Sequence, residues 1–464
     1  MKTTIRLISL LLVVLFVLCS CQSSAPEIVP EYDSRVEAAD LDGFKVTWGH
    51  CYTDTIYGFI DGTAHSDMAL ERERTIEDTM NCTIEVEYSG DTVYSTLRAS
   101  VMSGQPYYDI ITCGTYSLVT DVRAGYLTGL STLLDVENTD KWGTPNMLNS
   151  AIWNDDVYAV VPYAWPEVMY YSSFGYPISV NEDLIARLGV TDPREYVESL
   201  TWTWDKFEEC LAAYTHDDGG RTIYGMATHS AYFAMMMFLS NGNTLSSYEN
   251  GEVVCGAYTD SGFEALERAR KIYFETCKDY FHPGDPWNYA GVDMFINGEM
   301  VLLTAPCNEL FGTSKSLLYL TDNVGLIPYP QGPNATPGEY PSYHESLDYA
   351  TGIPVNAKDP EATAIILDAM YEPFDEYKTK EDIVNYMAEQ IFFDERDAGV
   401  LANMLKNTEY GFFREGARGV IESVTSADNA TITSLLESNE SKYQQIVDDY
   451  MVHHYEGTVA VYGE

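Results

Sequence analysis

Aromatic and polar side chains gather where two strands predicted from the sequence end. Trp48, His50 and Tyr52 belong to the end of an alternating run of residues, and Thr115 and Tyr116 follow a short apolar run. A sugar presents an apolar C–H face, which a flat ring can cover, and a rim of hydroxyls, which polar side chains can bind. The residue types at these two positions therefore indicate a site for a carbohydrate ligand.

The elements around these residues alternate between strands and helices. The apolar patterns predict strands at 44–48, 84–88 and 109–112, with a helix at 67–80 and a second one between Asp91 and Gly104. This βαβαβ order is typical of a parallel sheet with helices on its faces. Ligands of such sheets bind beyond the carboxyl ends of the strands, which is where the candidate residues lie.

Length and charge limit the kind of protein. A chain of 464 residues exceeds a single hydrophobic core, which stops growing near ~250–300 residues, so we expect two lobes. The chain carries 71 acidic and 26 basic residues, for a net charge of −45, and such a surface repels nucleic acids and anionic lipid headgroups. We therefore expect no nucleic-acid partner, and the scarcity of basic residues argues against a polyanionic ligand.

The N-terminus has the pattern of a secretory signal. Lys2 and Arg6 precede an apolar run from Leu10 to Leu18, which is shorter than the ~20 residues of a membrane-spanning helix. The ending Leu18-Cys19-Ser20-Cys21 resembles a bacterial lipobox. That resemblance implies that Cys21 is acylated and becomes the mature N-terminus.

This pattern predicts where the protein works. Residues 1–20 would be the signal peptide, and residues 21–40, which are polar and contain two prolines, would be the lipid anchor and a flexible tether. We expect an extracytoplasmic protein that the N-terminal lipid alone holds to the outer face of the bacterial cell membrane. The alternative is an ordinary signal peptide in which Cys21 is incidental.

The other cysteines do not indicate a metal site. Of nine cysteines, Cys19 and Cys21 belong to the signal and the anchor, so seven remain, which are Cys51, Cys82, Cys113, Cys210, Cys255, Cys277 and Cys307. They form no Cys-x-x-Cys pair and no Cys/His cluster at zinc spacing. We predict no metal and no cofactor, and we expect most of these cysteines to be small core residues.

Several short motifs follow one another in a characteristic order over residues 42–464. In chain order they are Val46–Gly49, Leu97–Gly104, Tyr108–Ile111, Gly125–Leu130, Val157–Pro162, Met169–Tyr171, Thr203–Phe207, Phe295–Met300, Gly325–Pro330 and Thr351–Val355. This order resembles family 1 extracellular solute-binding proteins, the receptors of ABC importers for sugars.

The resemblance implies an α/β, two-lobed, periplasmic-binding-protein-like fold. Each lobe would be a mainly parallel sheet flanked by helices, and the ligand would lie in the cleft between the lobes. By analogy, the N-terminal lobe comprises residues 41–161 with 328–372, and the C-terminal lobe comprises residues 162–327 with 373–464.

The implied crossings between the lobes add further candidate ligand-binding residues. Trp165 lies near the first crossing, and Trp287 with Asp293 supplies a ring and a carboxylate. A stretch near the second crossing adds Glu345, Asp348 and Tyr349. Trp48 has an alternative role, because it ends an alternating strand and its ring could pack in the core.

The resemblance implies a non-enzymatic, monomeric receptor that captures a carbohydrate, an oligosaccharide in our reading, and docks on the permease subunits of an ABC importer. The alternative is a secreted glycoside hydrolase or another surface-anchored carbohydrate-active enzyme, which also needs rings and two carboxylates. Carboxylates are too numerous in this chain for their presence to distinguish a receptor from an enzyme. The chain contains no Gly-x-Ser-x-Gly, His-Glu-x-x-His or phosphate-loop motif. A surface adhesin, a third class, would show many strands rather than βαβ units.

Overall fold

A computed structural model describes most of the chain outside the N-terminal region. The described residues are 39–53, 55–163, 165–166, 175–310, 316–321, 323–344, 349–391, 394–411, 417–425 and 430–463. The signal peptide, Cys21, Glu345 and Asp348 therefore lie outside the described residues, and Thr115 and Tyr116 are described through their backbone alone.

The sheet of the first lobe has the predicted βαβαβ order. Its four strands lie side by side in the order Ala350–Gly352, Ile110–Cys113, Phe44–His50 and Cys82–Tyr88. The last three are mutually parallel, and only the edge strand from the later part of the chain is antiparallel. His50, Tyr88 and Cys113 therefore end their strands at one common edge of the sheet.

The helices of this lobe end where the sequence predicts. Ala64–Met80 ends at Asn81, which has a left-handed backbone with φ of 49°, and Thr92–Ser103 ends at Gly104 with φ of 66°. These are the residue types that adopt this conformation at lowest cost. The long helix buries its apolar face, including Ile76, against the sheet.

The sheet of the second lobe is mixed. Its strands lie in the order Val324–Ile327, Ile178–Asn181, Met300–Thr304, Thr222–Ala227 and His216–Asp217. Met300–Thr304 and Thr222–Ala227 are parallel, but Ile178–Asn181 is antiparallel to both of its neighbours. The two-lobed α/β fold is confirmed, but this lobe is not mainly parallel, because Ile178–Asn181 and the edge strand His216–Asp217 are antiparallel to their neighbours.

The remaining helices cover the two sheets and the joint between them. They are Thr115–Arg123, Thr139–Trp142, Glu182–Leu188, Pro193–Glu198, Trp204–Tyr214, Ser230–Leu239, Asp260–Lys271, Ala290–Ile296, Cys307–Leu310, Leu317–Leu320, Pro360–Met370, Lys380–Ile391, Glu395–Lys406, Ala417–Ser423, Ile432–Ile446 and Val452–Tyr462. Within the described part of the chain, no helix has both the length and the apolar composition that crossing a bilayer requires.

Short strand pairs complete the fold. They pair Thr55–Ile56 with Phe59–Ile60, Ile152–Trp153 with Asp156–Val157, Ser246–Glu249 with Glu252–Cys255, and Ser342–His344 with Thr408–Tyr410. The core of the second lobe includes the run from Met235 to Phe238, in which every side chain is completely buried.

The chain returns to the first lobe after residue 328, which was the predicted boundary. The Gln331 amide donates to the Trp202 carbonyl at 2.9 Å, and Ser342–His344 pairs with Thr408–Tyr410, so residues 328–344 pack on the second lobe. Pro328 ends a strand but does not end the lobe. We therefore propose first-lobe ranges of 41–161 and 349–372.

The C-terminal helix Val452–Tyr462 contacts both lobes. The Asn154 amide of the first lobe donates to the His453 carbonyl at 3.1 Å. The Tyr455 ring stacks on Tyr248 of the second lobe, with centroids 5.3 Å apart. The predicted range 373–464 of the second lobe thus ends in a helix that bridges the two lobes.

Candidate functional site

Four rings cluster at the carboxyl edge of the first-lobe sheet. His50 ends the central strand, and its ring centroid lies 5.8 Å from that of Tyr52, 5.2 Å from that of Tyr88 and 6.0 Å from that of Tyr349. The Tyr52 and Tyr349 rings are 4.2 Å apart. We call these four residues the first-lobe ring cluster. The structure thus brings together three of the residues singled out from the sequence, and it adds Tyr88.

His50 carries the most unusual electrostatics of this cluster. Its side chain is completely buried, and burial lowers the pKa of the imidazole from 6.5 to about 4, so the ring is neutral at physiological pH. Nδ1 lies 3.2 Å from the Tyr52 carbonyl oxygen and 3.3 Å from the Tyr52 amide nitrogen.

The second ring nitrogen of His50 has no hydrogen-bond partner among the residues that the structure describes. Nε2 is buried and makes no hydrogen bond within the described residues. Buried polar atoms are nearly always paired, so an exception indicates a missing group such as a water molecule or a ligand hydroxyl.

A column of stacked rings occupies the corresponding edge of the second lobe. Tyr343, Tyr176, Tyr232 and Trp287 follow one another with centroid distances of 6.3, 3.6 and 5.4 Å and interplanar angles of 20°, 18° and 7°. The three tyrosines are buried, whereas Trp287 is half-buried. We call this set the second-lobe ring column, and its accessible end is the Trp287 indole.

The column lies where the strands of the second lobe end. Tyr176 lies two residues before the strand Ile178–Asn181, whose first residue pairs with Thr304 at the end of the strand Met300–Thr304. Tyr232 lies in the first turn of the helix Ser230–Leu239, shortly after the strand Thr222–Ala227. The second-lobe ring column therefore lies at the edge of the sheet where the strands Met300–Thr304 and Thr222–Ala227 end.

Two carboxylates hold the loop that carries Trp287. Asp285 accepts a hydrogen bond from the Trp287 amide at 3.1 Å, and Glu309 accepts one from the Tyr289 amide at 2.9 Å. Tyr289 itself has φ of 63°, a strained conformation for a bulky residue that its surroundings must enforce. Burial raises the pKa of Glu309. This loop holds the indole plane parallel to Tyr232.

The two ring sets flank the same crossing of the chain. Tyr343 belongs to the second-lobe ring column and Tyr349 to the first-lobe ring cluster, six positions later in the sequence. Gly175 packs directly against Tyr343, because a Cβ at this glycine would lie 1.8 Å from the Tyr343 carbonyl oxygen. The close packing fixes Tyr343 where the chain leaves the second lobe.

Two predicted ligand-binding tryptophans lie in the core. Trp48 is completely buried, and its Nε1 donates to Thr112 Oγ1 at 2.8 Å. Trp165 is also completely buried and stacks between Phe59 at 4.9 Å and Phe374 at 5.3 Å. Both rings are thus core residues in this structure, which corrects the expectation that they stack on a sugar.

The other candidate ligand-binding residues belong to neither ring set. Asp293 is exposed on the helix Ala290–Ile296, outside the second-lobe ring column. The backbone of Thr115 and Tyr116 begins the helix that follows the strand Ile110–Cys113, at the edge of the first-lobe ring cluster. Glu345 and Asp348 lie between the two ring sets in sequence but outside the described residues.

The family can be assigned from a match to a sequence-family model. The model of bacterial extracellular solute-binding proteins matches residues 77–373. The chain belongs to this family. Membership places the protein outside the cytoplasm and in a family of binding proteins, as the order of motifs predicted. No curated protein sequence matches the chain.

Solved structures share the fold at low sequence identity. The chain is similar to a cyclic α-maltosyl-1,6-maltose binding protein from Arthrobacter globiformis, with 14% identity, a TM-score of 0.60 and coverage of 88% of this chain and 100% of that one. It is similar to a cyclo/maltodextrin-binding protein complexed with maltotetraose, with 12% identity, a TM-score of 0.60 and coverage of 87% and 97%.

A third similar structure is an extracellular solute-binding protein from Staphylococcus aureus in complex with maltose. It has 12% identity, a TM-score of 0.58 and coverage of 87% of this chain and 98% of that one. At these identities the likeness establishes the two-lobed fold. The ligand of this chain must be argued from its own residues.

Proposed function

We propose that this solute-binding protein captures a neutral carbohydrate, an oligosaccharide, and delivers it to the permease of an ABC importer. The observation that carries the proposal is the pair of ring sets at the carboxyl edges of the two sheets. The half-buried rings of Trp287 and Tyr52, one from each set, can cover C–H faces of sugar units. The sugar ligands named for the similar structures agree with this chemistry.

In this proposal, each of the two ring sets makes a different contact with the sugar. The Trp287 indole, held parallel to Tyr232, provides a flat platform in the second lobe. The first lobe provides the half-buried Tyr52 ring. It also provides Nε2 of His50, which makes no hydrogen bond to another described residue and can hydrogen-bond a hydroxyl. A ligand that contacts both sets would shift the population of conformations toward closed lobes.

The charge of the protein supports an uncharged ligand. With 71 acidic against 26 basic residues, its field repels anions. In the first-lobe ring cluster, burial keeps His50 unprotonated and raises the pKa of Tyr88 to about 12. Neither ring set offers a fixed positive charge to a phosphate or a carboxylate.

A hydrolase would need a carboxyl pair at the bond to be cleaved. Retaining and inverting glycosidases place two carboxyl groups roughly 5–5.5 Å or 6.5–9.5 Å apart across that bond. Among the described residues, Asp285 and Glu309 are carboxylates that accept backbone hydrogen bonds and so hold the Trp287 loop. Their engagement favours a receptor over an enzyme.

The remaining parts of the proposal concern the cell surface. The lipobox-like ending at Cys21 supports a lipid anchor, and a tether over residues 21–40 would let a monomeric receptor reach the permease. We expect the lipid to be its only attachment to the membrane.

A melting-temperature screen against neutral mono- and oligosaccharides tests the ligand class. A sugar that binds only the folded state raises stability by RT ln(1 + [L]/Kd), which is about 2.7 kcal/mol at a hundredfold excess over Kd. We expect at least one oligosaccharide to raise the melting temperature and to be recovered intact after long incubation. Recovery of shortened sugars would favour the hydrolase, and a screen without any shift would contradict the proposal.

A further inference from the structure

Cys51 and Cys113 lie opposite each other at the carboxyl edge of the first-lobe sheet, next to the first-lobe ring cluster. In the parallel pair of strands, His50 lies opposite Thr112, so the next residues on the two chains are Cys51 and Cys113. The ladder continues to this point, because the Cys51 amide donates to the Thr112 carbonyl at 3.0 Å. Both cysteines are thiols in this structure.

This placement is compatible with a disulfide bond. Neighbouring strands lie about 4.8 Å apart, which is inside the range of roughly 4.4–6.8 Å that bridged cysteines show between Cα atoms. Residues opposite each other in a parallel pair point to the same face of the sheet. The register therefore favours a bond between the two sulfur atoms.

The two thiols differ in access, as an attacking and a resolving thiol should. Among the seven cysteines of the described chain, Cys51 alone is half-buried and the other six are buried. Burial raises the pKa of the Cys113 thiol, and the neighbouring Cys51 adds to the effect, so Cys113 does not ionise in advance.

We propose that Cys51 and Cys113 are a redox-sensitive dithiol, whose oxidation to a disulfide pins the loop that joins His50 to Tyr52. Its consequence for ligand binding rests on the function proposed above, because both flanking residues belong to the first-lobe ring cluster. The bond itself and the rigidity of the loop do not depend on the identity of the ligand.

The reaction requires an external disulfide, such as oxidised glutathione, as the oxidant. The Cys51 thiol loses its proton and attacks one sulfur of that disulfide, so a mixed disulfide forms and one glutathione thiolate leaves. The Cys113 thiol then loses its proton and attacks the Cys51 sulfur, which releases the second glutathione thiolate. The two thiolates take up the two protons, the protein loses two electrons, and the glutathione disulfide gains them.

The test uses the folded chain incubated with oxidised glutathione and then alkylated. Non-reducing peptide mapping should find Cys51 linked to Cys113, with an intact mass lower by two hydrogens. Hydrogen exchange of the Tyr52 amide should slow on the order of tenfold, because opening of the loop becomes less favourable. Reduction should restore both the mass and the exchange rate.

Matched variants separate the proposal from nonspecific oxidation. Cys51→Ser and Cys113→Ala should each abolish the link, and Cys82→Ser, at a buried cysteine of the same lobe, should retain it. If Cys113→Ala does not fold, Cys51→Ser and the wild-type map still decide. A stable glutathione adduct on Cys51 without the link, or a link without slower exchange, would overturn the proposal. Neither the peptide map nor the exchange measurement uses a sugar, so the result of this test is independent of the test of the proposed function.

Discussion

The Tyr176 and Tyr232 rings stack with centroids 3.6 Å apart and an interplanar angle of 18°. One ring comes from the segment that enters the second lobe, and the other comes from the first turn of the helix Ser230–Leu239. Trp287 lies on Tyr232 at 5.4 Å and nearly parallel to it. The half-buried indole is thus preorganised by buried rings, which lowers the entropic cost of stacking a ligand on it.

Replacing Trp287 with Ala should weaken sugar binding more than it lowers stability. The ring buries C–H surface worth ~25 cal/mol per Å², so its loss should cost on the order of 2–3 kcal/mol in affinity, or roughly 30–150-fold. Calorimetry with the sugar selected by the melting screen measures this. Trp153→Ala is the control, because Trp153 is also half-buried but packs against His453 at 4.4 Å. Equal losses of affinity in both variants would refute the role of Trp287.

Replacing Trp48 with Ala should have the opposite profile. The ring is completely buried and packs edge-on against Tyr57 and Tyr371 at 5.2 and 5.7 Å. Its loss should cost roughly 3–5 kcal/mol of unfolding free energy and leave the affinity of the folded fraction unchanged. Denaturant unfolding and calorimetry on the same sample separate the two quantities. Weaker binding at unchanged stability would show that this ring faces the ligand.

Stability should fall in acid because of His50. Burial lowers its pKa from 6.5 to about 4, so between these values the unfolded chain binds a proton that the folded protein does not. The contribution, roughly 3 kcal/mol at ~1.36 kcal/mol per pKa unit, is fully present above pH 6.5 and is lost as the pH falls toward 4.

Unfolding free energies measured between pH 7 and pH 4 check this contribution. His50→Gln should reduce the slope with pH. Part of the slope should remain, because burial also lowers the pKa of His454, to about 3. An identical slope in the variant would mean that His50 is protonated equally in the folded and unfolded states.

Changing Cys21 to Ala should release the protein from the membrane or leave an unprocessed precursor. A lipobox cysteine is the acylation site, and its loss removes the apolar anchor. Membrane fractionation with immunodetection measures the result, and Cys51→Ala is the matched control, since Cys51 lies in the folded first lobe. A Cys21 variant that stays in the membrane fraction at normal size would disprove lipidation at this residue.

The sequence predicts the first lobe well because local signals and tertiary structure agree there. The alternation at Phe44, Val46 and Trp48 and the helix ends at Asn81 and Gly104 are each fixed by short-range chemistry. The rule that ligands of parallel sheets bind beyond the carboxyl ends of the strands then identifies His50 and Tyr52 as candidates. The same rule applied to the strand Cys82–Tyr88 would have found Tyr88.

The second lobe and the burial of rings depend on contacts that are distant in sequence. Tyr176 precedes a strand whose antiparallel direction no local pattern indicates, and its partner Tyr232 lies 56 positions later by sequence number. Alternation could not tell whether Trp48 faces the core or the ligand. Trp165 stacks on Phe374, which lies 209 positions later in the sequence.

Small-angle scattering with and without the selected sugar tests most directly whether the ligand is held between the two lobes. We expect the radius of gyration to decrease at saturation, because a sugar that contacts both the first-lobe ring cluster and Trp287 stabilises the closed arrangement. The Trp287→Ala variant should need more sugar to reach the same decrease. An unchanged radius of gyration in a sample that calorimetry shows to be saturated would contradict binding between the lobes.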